Sequence, residues 1–202
     1  MSKIDLNLLM NNLESSQVEK QVLAVEKAGE IVNYIAVQTI EAFRKSQHRF
    51  LMAERLYHLG SVVVPPLEKL LKESDNSETS ILAAVILLRF GSKVGVSCLL
   101  EAVAKDEEYP CLAATSLAAA GIKEAIEPMI NRLKSCDLKN VDLAIGILSA
   151  LEDLGSEIPS DLRDRLTAED AHWQIRTYAK RFVVYQENRV ENGQIKKAIA
   201  SL

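Results

Sequence analysis

The chain has 202 residues, of which 48% are hydrophobic and 26% are charged, a balance typical of a globular protein. Its net charge of −4 at pH 7 argues against binding to the polyanionic backbone of a nucleic acid. Gly, Pro and aromatic residues are few, so the apolar content comes from Leu, Ala, Val and Ile, and this composition predicts an all-α fold.

The N-terminal segment predicts neither export nor membrane insertion. It lacks the long apolar run of a secretory signal, and the longest apolar stretch, from Ile81 to Leu88, is shorter than the roughly 20 residues that a membrane span needs. The three cysteines form an odd set without Cys-x-x-Cys spacing, so we expect neither a disulfide framework nor a zinc site. We therefore expect a cytoplasmic protein.

Five glycines recur at nearly constant spacing along the chain. An apolar residue stands four positions before each of them and another stands seven positions before. Such spacing places both residues on one stripe of a helix, and a glycine just past the stripe is a common helix terminator. The glycines are Gly29, Gly60, Gly91, Gly121 and Gly155, preceded by Val25, Leu56, Leu87, Leu117 and Leu151 at four residues and by Val22, Ala53, Ala84, Ala114 and Leu148 at seven.

A second apolar stripe follows each glycine, with the same offsets after Gly91 and Gly121. Those offsets give Val96, Leu99, Leu100 and Val103 in one repeat and Ile126, Met129, Ile130 and Leu133 in the next. Each glycine therefore predicts the turn of a helical hairpin of about 31 residues. A hairpin of this size cannot enclose its apolar face, so the repeats are expected to stack into an α-solenoid.

The predicted organisation is a single domain over residues 1–202. Residues 1–17 form an N-terminal cap helix, residues 18–166 hold five hairpin repeats, and residues 167–202 form a C-terminal cap and tail. The first repeat, around Gly29, has the loosest second stripe. The segment from Thr167 to Asp170 has the spacing of a capping box and predicts the start of the last cap helix.

The segment from Ala114 to Ile130 resembles the HEAT-like repeat named after phycobilisome lyases, which builds an armadillo-like superhelix. Similar segments run from Ala53 to Leu71 and from Ala83 to Val103. The resemblance covers about residues 18–170 and lies in residues that build the core, so it implies a repeat type and a large binding surface, without an activity.

The sequence predicts no catalytic, metal or cofactor site. It contains no Walker-type loop, no Gly-x-Gly-x-x-Gly, no His-Glu-x-x-His and no Gly-x-Ser-x-Gly, which are common signatures of phosphate, dinucleotide, zinc and nucleophile chemistry. His48, His58 and His172 lack the closely spaced partners that metal ligands normally have. The prediction is a protein that is not an enzyme.

The C-terminal region carries an unusual concentration of positive charge. Residues 171–202 hold six Lys or Arg and two Glu, a balance of +4, whereas the rest of the chain has −8. Trp173, Arg176 and Lys180 are spaced to share one helical face, and Trp and Arg are enriched at binding hot spots. These three residues are the candidate partner-binding site, the alternative being a solvated cap face with its aromatic residues in the core.

A second basic cluster lies near the junction of the first two predicted repeats, and it is equally compatible with a binding site or a polar outer face. It contains Arg44, Lys45, His48, Arg49 and Arg55.

The function predicted from these features is a non-catalytic protein-binding scaffold or adaptor that uses a solenoid surface. The resemblance leaves other readings open: an accessory subunit of a phycobilisome chromophore lyase, a toxin-neutralising immunity protein, or a HEAT-like DNA glycosylase. The glycosylase is least favoured because it needs a basic track for DNA and the chain is acidic overall. We expect a protein partner, with neither nucleic acid nor membrane.

Overall fold

A computed structural model describes residues 5–75, 77–105 and 109–181, and every regular element within those ranges is a helix. The all-α prediction is confirmed for this part of the chain. No helix in these ranges is long and apolar enough to span a membrane. The chain divides into two compact units, Met1–Ser74 and Asp75–Leu202, while the single domain over 1–202 stays a prediction.

The first unit is organised around one long helix. Helix α2 (Val18–Lys45) contacts α1 (Leu6–Leu13), α3 (Arg49–Leu56), a 3-10 segment (Tyr57–Val63) and α4 (Val64–Glu73). Asp5 caps α1, because its carboxylate accepts a hydrogen bond from the Leu8 N–H at 3.1 Å. A helix is therefore present within the segment predicted to form the N-terminal cap.

The first predicted hairpin does not form, because Gly29 lies in the interior of the 28-residue helix α2. A glycine costs a helix interior only about 1 kcal/mol relative to alanine, which is too little to end a helix that continues favourably on both sides. The prediction that Val22 and Val25 belong to the core is also wrong, since both side chains are exposed.

The second unit consists of helices in consecutive pairs. Its elements are α5 (Ser77–Arg89), α6 (Val96–Ala104), α7 (Pro110–Ala119), a 3-10 turn (Lys123–Ala125), α8 (Ile126–Ser135), α9 (Val141–Asp153), α10 (Ser160–Thr167) and α11 (173–181). The first helices of successive pairs contact one another, α5 with α7 and α7 with α9, and the second helices α6 and α8 do the same. Within this unit, like helices of these pairs therefore lie side by side.

The turns that end α5, α7 and α9 are built alike. After α7, the Gly121 N–H donates to the Ala118 carbonyl (2.9 Å) and the Ile122 N–H to the Leu117 carbonyl (3.0 Å), and the turns at Gly91 and Gly155 repeat both bonds at the same distances. The three glycines have φ between 66° and 81°. This is the Schellman motif, and it confirms the prediction that these helices end within two residues of a glycine.

The turn at Gly60 differs in detail from the other three. Helix α3 ends at Leu56, four residues before Gly60, and the 3-10 segment covers the interval. Gly60 itself has φ 74°. The prediction of a glycine with a turn conformation is confirmed here, whereas α3 ends about two residues earlier than predicted.

The apolar stripes around Gly60, Gly91, Gly121 and Gly155 supply core residues, although Val96, Leu100, Ile126 and Ile130 are only half-buried. Leu56, Leu87, Leu117 and Leu151 are all buried, as are Leu99 and Val103 in one second helix and Met129 and Leu133 in the next.

The predicted capping box at Thr167 is wrong. Thr167 is the last residue of α10, and its hydroxyl donates to the Arg163 carbonyl at 2.9 Å within that helix. A threonine that bonds back to its own helix cannot cap the next one, and α11 begins six residues later, at 173. The predicted tail beyond residue 181 lies outside the described residues.

Replacement of Leu117 by Ala tests the stripe assignment. Leu117 is fully buried, and deletion of such a side chain lowers the free energy of unfolding by about 2–5 kcal/mol. Val25 occupies the same position relative to Gly29 but is exposed, so Val25→Ala should change stability by about 0.5 kcal/mol or less. Urea denaturation measures both, and equal losses in the two variants would show that the packing is misassigned.

Two glycines with opposite surroundings provide a second test. A methyl group at Gly95 would lie 2.5 Å from the Ala84 Cβ, so Gly95→Ala should destabilise the fold by about 1–3 kcal/mol through overpacking of α5 against α6. A methyl group at Gly29 meets nothing within 4 Å, so Gly29→Ala should stabilise α2 by about 0.5–1 kcal/mol. Thermal unfolding of the two variants should shift in opposite directions, and a destabilised Gly29→Ala would contradict the continuous α2.

Candidate protein-binding surface

Helix α11 has one face in the core and one face in solvent. Ile175 and Ala179 are fully buried, whereas the Trp173 side chain is 62% exposed. Trp173, Arg176 and Lys180 share one side of α11, as their spacing predicts, with Trp173 and Lys180 exposed and Arg176 half-buried next to the core face. The alternative that this tryptophan belongs to the core is therefore wrong.

The two cations of this face are held differently. Arg176 is half-buried, and its Nη1 donates to the Glu169 carbonyl at 2.9 Å, whereas Lys180 is exposed. A guanidinium anchored at one nitrogen keeps further N–H groups for a partner. We define the C-terminal face as Trp173, Arg176 and Lys180.

The opposite side of α11 is fastened to α9 through Tyr178. Its hydroxyl donates to Glu152 Oε2 at 2.7 Å, and the Arg181 guanidinium lies 5.0 Å from the centre of its ring. Burial, together with the hydrogen bond to Glu152, raises the pKa of Tyr178, so the phenol remains a donor at neutral pH. Tyr178 is thus a structural anchor that presents the C-terminal face, a role that its sequence position did not reveal.

A groove of about 650 Å³ lies between the segment after α8 and the segment before α11. Its apolar lining includes Leu138, Val141, Ala168 and Ala171, and its polar lining includes Asp137, Lys139, Arg165, Asp170 and His172. His172 precedes Trp173, so the groove adjoins the C-terminal face.

Arg165, which lines this groove, is committed to the fold. Its guanidinium donates to the carbonyls of Leu133 (2.9 Å), Lys134 (2.7 Å) and Cys136 (2.8 Å). These carbonyls end α8 and have no acceptor role inside that helix, so Arg165 satisfies them as a C-terminal cap. It therefore joins α10 to α8 and is not counted among the candidate binding residues.

The second basic cluster is largely engaged with its own helix end. Arg44 Nη1 lies 3.9 Å from Glu41 Oε1, and Lys45 Nζ lies 3.9 Å from Glu41 Oε2. The Arg49 Nε donates to the Arg44 carbonyl at 3.4 Å. Cations at a helix C-terminus compensate the partial negative charge there. This arrangement favours the polar-outer-face interpretation of the cluster.

Neither histidines nor cysteines form a reactive group in the part of the chain that the structure describes. No group of three or more potential metal-binding side chains lies together in those ranges. Burial raises the pKa of the Cys111 and Cys136 thiols, which disfavours the nucleophilic thiolate. Cys136 is buried, whereas Cys98 and Cys111 are half-buried.

Comparisons of the chain with protein-family models, with curated proteins and with solved structures found no match. The resemblance to HEAT-like repeats therefore remains an argument from the repeated residues themselves.

Proposed function

We propose that this chain is a non-catalytic protein-binding scaffold, built as an α-solenoid of HEAT-like hairpins, and that the C-terminal face contacts an acidic region of a protein partner. The observation that carries the proposal is the exposure of Trp173 beside two cations on a firmly anchored helix. Large aromatic side chains are normally buried, and Trp with Arg is the pair of residue types most enriched at binding hot spots.

The helix pairs support the solenoid part of the proposal. The turns after α5, α7 and α9 share the same two hydrogen bonds, and like helices of successive pairs contact one another. Repeated pairs in contact with their neighbours are the building principle of α-solenoids, which bind partners on extended surfaces. The odd number and wide spacing of the three cysteines favour a reducing compartment such as the cytoplasm.

Rigid presentation also favours a binding role for the C-terminal face. The Tyr178–Glu152 hydrogen bond and the burial of Ile175 fix α11 before any partner arrives. A preorganised surface loses less conformational entropy on association than a mobile one. Lys180, which is exposed, adds long-range attraction to an acidic partner.

The test is a charge reversal, Arg176→Glu with Lys180→Glu, measured by calorimetric titration with a partner purified from the native host. We expect binding at least about tenfold weaker, a loss of 1.4 kcal/mol, together with a flatter dependence on salt. Lys93→Glu with Lys123→Glu is the matched control, because both lysines are exposed in the same unit and the charge change is identical.

Since Arg176 also bonds to Glu169, a second variant avoids that contact. Trp173→Ser with Lys180→Glu should weaken binding to a similar extent while the circular-dichroism spectrum and the melting midpoint stay at wild-type values. Wild-type affinity in both double variants would refute the role of the C-terminal face.

A further inference from the structure

An uncovered apolar stripe runs along the N-terminal half of α2. Val18, Val22, Val25, Gly29 and Val32 follow one another at intervals of four, three, four and three residues, which places them on one side of the helix. The four valines are 49–70% exposed. We define this set as the α2 stripe, and from Val18 to Val32 it is about 21 Å long.

The same side of α2 forms part of the core farther along the helix. There it carries Ala36, Ile40 and Phe43, all buried, in the helix that α3, the 3-10 segment and α4 contact. Among the residues that the structure describes, one continuous apolar face of α2 is thus buried in the C-terminal half and exposed in the N-terminal half. The stripe has the spacing of a helix-packing seam, and no described helix buries its valines.

The border of the α2 stripe is acidic. Glu26 lies one turn beyond Val22, and Glu19 lies about one turn before it, on the same edge. The two lysines of this region, Lys20 and Lys27, lie on the opposite side of the helix, where Lys27 pairs with Glu30 at 2.5 Å. Residues 5–41 together contain six acids and two lysines, so the potential around the stripe is negative.

We infer that the α2 stripe binds a basic amphipathic helix of a partner protein, with apolar residues against the valines and Lys or Arg beside Glu19 and Glu26. Helix-in-groove recognition uses apolar anchors at this spacing, and complementary charges beside a seam set partner choice. Gly29 adds a point of close approach, because nothing lies within 4 Å of the place where its Cβ would be.

A second copy of this chain fits the stripe less well. An antiparallel pair would set the Glu19 and Glu26 edges of the two copies against each other, and facing like charges are destabilising. In a parallel pair, the contact between the copies would involve the other edge of the α2 stripe. At that edge Gln21 Nε2 donates to the Leu13 carbonyl at 3.3 Å. Helix α1 therefore already occupies that flank, and its ends carry Asp5 and Glu14.

This inference and the proposed function both assume a protein partner, and they share no other premise. Two synthetic helical peptides test the inference. Both have Leu at the seam positions of three heptads; one has Lys at the flanking positions and the other has Glu. Fluorescence anisotropy with the full-length chain should show the Lys peptide binding at least about tenfold tighter than the Glu peptide at low salt. Equal affinity for the two peptides would overturn the inference.

Substitutions on two sides of α2 locate the contact. Val22→Gln with Val25→Gln should weaken binding of the Lys peptide about tenfold or more, whereas Leu23→Gln with Tyr34→Gln, which removes two exposed apolar side chains from the opposite side, should change it less than about twofold. Glu19→Gln with Glu26→Gln should weaken binding and flatten its salt dependence. Wild-type binding by the valine variant would reject the stripe as the site.

Two further measurements separate this inference from its rivals. Light scattering should give a monomer for the chain alone, and a dimer dispersed by Val22→Gln with Val25→Gln would overturn the inference in favour of a second copy. Arg176→Glu with Lys180→Glu should leave binding of the Lys peptide unchanged. Peptide binding therefore tests the α2 stripe independently of the C-terminal face. Loss of peptide binding in that variant would count against the stripe.

Discussion

The left-handed glycine turn behind a buried leucine is the constraint on which the second unit depends. At Gly91, Gly121 and Gly155 the backbone has positive φ, a conformation that costs most L-residues about 1–2 kcal/mol and glycine almost nothing. The turn satisfies two carbonyls at the end of each first helix and sends the chain back along the same core. The helices after Gly91 and Gly121 bury residues at the same offset, Leu99 and Met129, whereas the buried Leu162 after Gly155 comes one residue earlier.

The sequence predicted these hairpins because the signal is local. In each of these hairpins a glycine stands four residues after a leucine, and the helical pattern breaks after the glycine. This short segment indicates where one helix ends and where the next begins. Gly29 has apolar residues at the same two positions before it, Val22 and Val25. The residues after it continue the helix, however, and a single glycine does not overcome the cooperativity of helix propagation. The capping box predicted at Thr167 is wrong for a related reason. The Thr167 hydroxyl donates to a carbonyl in the preceding turn of α10, so α10 continues through this residue.

The candidate site was predictable in part. Helical spacing alone places Trp173, Arg176 and Lys180 on one face, whereas the exposure of Trp173 depends on what packs against α11. The contact between Tyr178 and Glu152 joins residues 26 apart in sequence, and no local pattern indicates it. Likewise, the apolar pattern of α2 predicts burial, and only the extent of α3 and α4 determines that its N-terminal half is uncovered.

The two units present different chemistry to a partner. The second unit offers an exposed tryptophan, Trp173, beside two cations on a helix that Tyr178 fastens to α9. The first unit offers valines bordered by glutamates, on a helix whose other half is packed. Both arrangements leave apolar surface in water, and burial against a protein partner would be favourable for each of them.

Hydrogen exchange on the complex formed with a partner from the native host tests the central claim, that exposed helical faces of this chain bind protein. The account predicts a stoichiometric protein partner and slower amide exchange in residues 173–181, in residues 18–32, or in both, relative to the free chain. A complex in which both segments exchange as they do in the free chain, while protection appears elsewhere, would contradict it.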